Sequence, residues 1–223
     1  MSLHLVFLYR CRARAAYDEF LRQWADVHTP QAAAWPGVRR YVRNIVLSAD
    51  GQGQGLAWHG AEELWVDDEA AADALPASMP PLADRECVVR LHTQDHVVVP
   101  GAPIAKEDVF PKRMTFFRRK PGMGGDESLH YWRHVHGPLA GSVPGVRRYV
   151  QSAVVRCGHA AEGRPPFDGV AQLWLDDEGA LQRIAASSLF RDRVKPDEAN
   201  FTAAEATLTL AMREVREVWP AHP

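Results

Sequence analysis

The sequence predicts an α+β protein of two ferredoxin-like β-α-β-β-α-β repeats, packed sheet to sheet as an intrachain, pseudo-dimeric α/β barrel. Three observations carry this. Trp24 to Arg43 returns, without a gap, as Trp132 to Gln151 with twelve of twenty positions identical, where unrelated sequence would share roughly one or two. Leu64-Trp65-Val66-Asp67-Asp68-Glu69 returns as Leu173-Trp174-Leu175-Asp176-Asp177-Glu178. Between these landmarks, strand-like and helix-like patterns follow the same order in both halves. The repeats are placed at 1–99 and 109–223, with a linker at 100–108 marked by Pro100-Gly101 and Pro103.

In the first repeat, the apolar run Leu3 to Tyr9 reads as a strand. Tyr17 to His28 follows as an amphipathic helix, because Phe20, Leu21, Trp24 and Val27 recur at helical spacing. Pro30 and Pro36-Gly37 punctuate its end, and the β-branched and aromatic stretch Val38 to Ser48 is the second strand. Gly51 to Gly55 is a loop. Ala61 to Val66 is the third strand, Asp67-Asp68 caps a short helix over Glu69 to Leu75, and His96 to Val99 closes the repeat. The second repeat runs in parallel. Arg113 to Arg118 is its first strand, and a helix starting at Asp126 carries Leu129, Trp132 and Val135. Val146 to Arg156 and Val170 to Leu175 are strands flanking the loop Gly158 to Pro166, and Glu178 to Ser187 is the second helix. Its last strand is either Thr207 to Met212 or Glu214 to Trp219.

A β-α-β-β-α-β unit carries both helices on one sheet face and leaves the other bare. Strands apolar on nearly every residue need cover on both faces, and the second repeat is the natural cover for the first.

Composition excludes several classes of function. With 26 basic and 28 acidic residues, net charge −2 and no charge runs, the chain has no electrostatic footprint for nucleic acid or an anionic membrane. Cys11, Cys87 and Cys157 do not fall at matching repeat positions, which argues against a disulfide framework and fits a reducing cytoplasm. The start, Met1 to Tyr9, lacks the basic region and cleavage site of a signal peptide. The expected partner is a small hydrophobic or aromatic ligand, the chain being a self-contained pseudodimer open to further homo-oligomerisation.

The pattern Trp-x3-His-x-Pro followed by Pro-Gly-Val-Arg-Arg-Tyr, met at Trp24 to Tyr41 and again at Trp132 to Tyr149, resembles the EthD-like family of dimeric α/β-barrel proteins. The resemblance extends to Gly60 to Asp68, Gly169 to Trp174 and Asp197-Glu-Ala-Asn-Phe201. It implies the barrel fold. Related barrels include cofactor-free decarboxylases, dehydratases, cyclases and lactone isomerases, as well as haem-degrading monooxygenases and peroxidases, so the resemblance alone selects no reaction.

His28 and His136 each lie one turn beyond a tryptophan on the packed side of a helix. An imidazole in a semi-apolar pocket suits general acid/base work on an enol, a phenol or a carboxylated aromatic, and these two are the candidate catalytic residues. The plainer alternative is a histidine that closes the helix end on a backbone carbonyl. Tyr41 and Tyr149 are candidates to orient a substrate carbonyl, Arg39 and Arg147 to hold a carboxylate, and Trp24 and Trp132 to wall the site. By alternation, Arg39, Tyr41 and Arg43 share one face and Arg40 takes the other. Trp65 and Trp174, with Phe7, Phe116 and Phe117, read as core before cavity. His130 and His134 lack a third ligand, and no metal or cofactor is expected.

The expected function is a cofactor-independent lyase or isomerase of decarboxylase, dehydratase or cyclase type, using histidine proton transfer on a small hydrophobic aromatic or polyketide-like acid or lactone. The alternatives are a haem-dependent monooxygenase and a non-catalytic binding barrel. The halves differ at Asp26/His134, Trp35/Val143 and Arg43/Gln151, and the second, richer in histidine, is expected to be the more active.

Overall fold

The structure is a computed structural model that describes residues 3–12, 16–50, 58–157 and 166–218, without the side chains of 48–50. Eight strands close into an antiparallel barrel: β1 (Leu3–Tyr9), β2 (Val38–Asp50), β3 (Gly60–Val66), β4 (Val89–Val99), β5 (Pro111–Phe117), β6 (Val146–Cys157), β7 (Gly169–Leu175) and β8 (Leu208–Val218). Their order round the barrel is β1-β3-β2-β8-β5-β7-β6-β4, with β4 closing on β1. Each half therefore contributes four adjacent strands in the same relative order.

The halves meet differently from a stack of two sheets. Their inner faces do touch across the lumen, but they are joined at the edges, where β2 pairs with β8 from Tyr41↔Val218 to Asp50↔Thr209 and β4 pairs with β6 from Leu91↔Cys157 to Val99↔Tyr149. An open sheet would expose these long strands as unpaired backbone, and closure removes that liability. The last strand spans both of its expected alternatives, and β4 begins seven residues before His96. The expected loop Gly51 to Gly55, the expected loop Gly158 to Pro166 except for Pro166 itself, and Trp219 lie outside the described residues.

The helices pack on the outer face. The first runs as α1 (Tyr17–Gln23), a π turn (Trp24–His28) and α2 (Thr29–Ala33), and its counterpart as α4 (Gly125–Tyr131), a π turn (Trp132–His136) and α5 (Gly137–Gly141). The expected stop near Pro30 is not observed. Thr29 N–H bonds the Trp24 carbonyl five residues back, and Gly137 N–H bonds that of Trp132. This wider turn admits Pro30 and Pro138 at the start of the next helical segment, where a missing N–H leaves no bond unmade. Short α3 (Glu69–Asp73) and α6 (Ala180–Ala186) follow the third strands. Asp68 caps α3 by accepting from Ala71 N–H at 2.9 Å. Only the second half adds a further described π turn, Phe190–Val194, leading into α7 (Lys195–Asp197).

Core residues divide by face. Leu5, Phe7, Tyr9, Phe20, Trp24 and Tyr41 belong to the outer core of the first half, and Tyr149, Leu175, Ala180 and Ile184 to that of the second. One part of the lumen is apolar, filled by Val6, Leu8, Leu91, Met114, Phe116 and Leu210 from both halves. The other part is charged. His4 lies 2.8 Å from Asp95 and 3.2 Å from Glu63, while Lys112 bonds Glu63 and, at 2.7 Å, Glu214.

Candidate functional site

The outer face of the second half encloses a cavity of about 100 Å³ lined by Trp132, His136, Tyr149, Ala171 and Phe201, among others. Three of the residues picked out by the repeat meet here because the π turn and β6 face each other across it. Trp132 Nε1 donates to Tyr149 Oη at 3.2 Å. Gly169 makes this approach possible, since a Cβ there would stand 2.8 Å from the Trp132 ring and 2.7 Å from Phe117.

His136 is held by a carboxylate. Its Nδ1 lies 2.9 Å from Asp197 Oδ2, and its ring packs against Phe201 with centroids 4.8 Å apart. Tyr131 Oη and Asn200 Nδ2 both donate to Asp197 Oδ1, at 2.6 and 3.0 Å. Burial alone would raise the Asp197 carboxyl, but these donors and His136 outweigh it and hold it below the usual carboxylate range. Asp197 is therefore an ionised acceptor, which places the imidazole proton on Nδ1 and leaves the Nε2 lone pair without a described protein partner.

Tyr149 Oη accepts a second hydrogen bond from Gln151 Nε2 at 3.1 Å. Burial is the main cause that pushes its phenol up to about 12, so at neutral pH it keeps its proton. With Trp132 and Gln151 as donors, that O–H has no acceptor among the described residues.

The first half holds the same three side chains in another state. Trp24 Nε1 donates to Tyr41 Oη at 3.2 Å, as in its counterpart. Tyr41, however, donates to Glu62 Oε2 at 3.1 Å, and His28 Nε2 lies 3.0 Å from that same oxygen. His28 Nδ1 faces Ser78 Oγ at 3.4 Å. His28, Tyr41 and Glu62 are almost completely buried. Burial, followed by the Glu62 charge, drives the Tyr41 phenol well above its ordinary value.

Matching strand registers show what differs. Arg43 pairs with Glu62 across β2 and β3, and Gln151 pairs with Ala171 across β6 and β7. Ala171 therefore stands where the first half has Glu62, and it borders the cavity. Ser78 likewise corresponds to Asp197, a match anchored by the bridges Cys11↔Ala83 and Arg119↔Thr202. The first half ties its histidine and tyrosine to one carboxylate on the sheet. The second moves the carboxylate to the far ring nitrogen and leaves Nε2 and the phenol proton without a partner among the described residues.

Arg39 and Arg147 stand apart from these groups. Arg39 is two-thirds exposed and bonds Asp67 at 2.7 and 2.8 Å, whereas Arg147 lies over the Phe110 ring and 3.8 Å from Asp176. The ladder skips from Val38 to Arg40 and from Val146 to Arg148, so each is the extra residue of a β-bulge and strict alternation does not apply. Phe117 belongs to the core beside Trp132, Phe116 lies in the lumen, and Trp174 and Trp65 sit at its charged mouth. His130 and His134 are exposed, with rings 4.6 Å apart. Asp197 and Ala171 were not among the residues singled out. The first was legible only as part of the Asp197 to Phe201 motif, and the second only as a difference between repeats.

A family model described as EthD domain matches residues 13–79 and 120–205, covering both candidate histidines. Among curated proteins no sequence matches. An anthrone oxidase-like protein of known structure superposes with a TM-score of 0.68 at 12% identity, over 100% of this chain and 97% of its own. A protein from Lactobacillus acidophilus NCFM, provisionally described as a monooxygenase, gives 0.56 at 10% identity over 99% and 100%. A mutant chlorite dismutase from Candidatus Nitrospira defluvii gives 0.54 at 9% identity over 94% and 91%. At such identities these likenesses establish a shared α/β-barrel fold. No helix among the described residues is long and apolar enough to cross a membrane.

Proposed function

The chain belongs to the EthD-domain family, and from that premise we propose that it is an enzyme using His136 as a general base on a small hydrophobic substrate. The substrate class is an aromatic or polyketide-like acid or lactone, and the reaction a lyase or isomerase step that needs no cofactor. The two repeats are read as ferredoxin-like units over 1–99 and 109–223, joined by 100–108, with the chemistry assigned to the second.

The observation that carries this reading is the exchange of Glu62 for Ala171. It leaves an imidazole nitrogen and a protonated phenol at one apolar cavity. His136 Nε2 is free to take a proton from a carbon next to a carbonyl, or from a phenol, while Asp197 stabilises the imidazolium that forms. Tyr149 presents its O–H to the oxygen on which negative charge collects, in a largely apolar site that strengthens the bond. The imidazolium then returns the proton at a different atom, or to the leaving group. A cavity of about 100 Å³ is near the size of one known to take benzene, ~150 Å³, so one ring of the substrate fills it.

A haem does not fit this site. Although His136 offers a free nitrogen, the aromatic walls around it leave a space far smaller than a porphyrin, and no step is assigned to that group.

Native mass spectrometry of the purified chain, followed by denaturation, identifies any ligand carried along. Turnover of that compound by the wild type, abolished in His136→Ala and retained in His28→Ala, is the expected result. Unchanged turnover in His136→Ala overturns the assignment.

A further inference from the structure

The buried glutamine behind the Tyr149 phenol replaces an arginine of the first half. Gln151 is the repeat equivalent of Arg43, and Gly137 that of Thr29. In the first half Thr29 Oγ1 donates to the Trp24 carbonyl at 2.9 Å, which uses its one proton, and the same oxygen lies 3.4 Å from Tyr41 Oη. Arg43 turns instead to Glu217 of β8, at 2.8 Å. In the second half Gln151 Nε2 takes over the carbonyl, donating to that of Trp132 at 2.8 Å, and its other N–H goes to Tyr149 Oη at 3.1 Å. The two exchanges depend on each other, since a Cβ at Gly137 would stand 2.8 Å from Gln151 Nε2 and displace it.

The orientation of this amide follows from its partners. A carbonyl oxygen only accepts, so the nitrogen of Gln151, and not its oxygen, faces Trp132. The side chain is almost completely buried and its oxygen has no hydrogen-bond partner among the described residues, so both of its hydrogen bonds are donations. The consequence falls on the phenol. Tyr149 Oη already accepts from Trp132 Nε1 at 3.2 Å, and a second N–H at the same oxygen leaves the hydroxyl only its proton to offer. Tyr41 places its proton on Glu62 at 3.1 Å. Ala171 occupies that position in the second half, and both it and Tyr149 border the cavity, so the proton that Glu62 takes in the first half is offered there.

We propose that Gln151 is a positioning residue that fixes Tyr149 as a hydrogen-bond donor, and that the cavity therefore selects an aromatic ligand carrying a carbonyl oxygen over one of the same shape without it. This deepens the reading of the His136 site and rests on it for the cavity. A hydroxyl free to turn serves donor and acceptor ligands alike. One whose oxygen is filled by two N–H groups discriminates, because a ligand O–H or N–H brought against it finds no lone pair and is left buried and unpaired. Gln151 acts from behind the phenol, and the same amide ties the strand β6 to the π turn that carries His136.

The test is an NMR titration of the full chain with acetophenone and, separately, with cumene, which has the same shape and no polar atom, following the Trp132 indole N–H. The quantity read is the ratio of the two dissociation constants, and no turnover enters it. Gln151→Glu puts an acceptor where the donor was. Ionised, that carboxyl has no proton, and protonated it uses its one proton on the Trp132 carbonyl, so in either form it draws the phenol proton away from the cavity. The preference for acetophenone relative to cumene should fall by roughly two- to tenfold. Gln151→Met, similar in length and with neither N–H nor carboxylate, should lower it less. A glutamine that only supports the packing gives the opposite order, because a protonated Glu still bonds the Trp132 carbonyl and Met does not. Circular dichroism confirms the fold of each variant, and if Gln151→Glu does not fold, a lowered ratio in Gln151→Met carries the test. A ratio unchanged in the folded variants, with both probes still saturating, overturns this proposal and leaves the cavity a ligand site. Failure of both probes to saturate the wild type overturns it together with that site.

Discussion

One residue decides which histidine is free. Glu62 accepts from Tyr41 and pairs with His28, whereas Ala171 does neither. Substituting Ala171→Glu should recreate the first-half arrangement in the second, filling the cavity and occupying His136 Nε2. Ligand binding and turnover should both be lost while the fold persists, and binding unaffected by Ala171→Glu would place the ligand elsewhere. The reverse change, Glu62→Ala, leaves two buried partners without their acceptor, at a cost of about 1–3 kcal/mol. Chemical denaturation measures that cost, and titration with the same ligand should then show a second, weaker site. At this scale the sequence was informative about the members of the site and silent about their states. His28, His136, Trp24, Trp132, Tyr41 and Tyr149 stand out because they recur at a constant offset. Asp197 does not, because its match to Ser78 lies across an insertion that changes the offset, and Ser and Asp share no letter. Arg39 and Arg147 were displaced from the expected face by a bulge that no residue pattern announces.

At the scale of elements, the close approach of helix to sheet depends on two equivalent glycines at the starts of the third strands. A Cβ at Gly60 would lie 2.2 Å from the Trp24 ring and 3.1 Å from the Asn44 carbonyl oxygen. Gly60→Ala must therefore shift a fully buried indole, and it should destabilise by about 1–3 kcal/mol, as overpacked core positions do. Gly169→Ala meets Trp132 and Phe117 at 2.7–2.8 Å, and it should move the wall of the cavity as well as lower stability. Equal stability of wild type and Gly60→Ala in denaturant titrations would show that the packing relaxes freely. A strand apolar on nearly every residue was legible by composition, β1 above all. The first part of β4 was hidden because Arg90, His92 and Asp95 look solvated in sequence, yet His92 is almost completely buried and Asp95 belongs to the lumen network. The helix beyond Pro30 was hidden for a different reason, since a π turn lets a proline follow where regular α-helical bonding would not.

At the scale of the molecule, the charges of the lumen tie the halves together, through Lys112 on Glu63 and through Ser152 on Asp95. Glu63 belongs to the first half and Lys112 and Glu214 to the second, and all three are buried side by side. With two hydrogen-bonded seams and this shared network, neither half has a complete core of its own, so thermal unfolding should be a single cooperative transition, and two resolved transitions would contradict the closed barrel. The network also sets the dependence of stability on pH. His4 is raised from 6.5 to about 9 on folding, where burial opposes the charge and Asp95 and Glu63 prevail. Its contribution, on the order of 3 kcal/mol, is fully present below pH 6.5 and is lost as pH rises through 9. Glu63 is lowered to about 2, Lys112 and His4 outweighing its burial, so its contribution is present above pH 4.5 and fades as pH falls towards 2. Stability should therefore be greatest between about pH 4.5 and 6.5 as far as these two groups decide it, and decline between pH 7 and 9. In His4→Gln the alkaline decline should flatten, because the group that loses its proton is gone. Melting temperatures across that range, in wild type and variant at fixed ionic strength, measure it. A decline of equal slope in both would assign the alkaline limb to other groups and leave His4 neutral in the folded barrel.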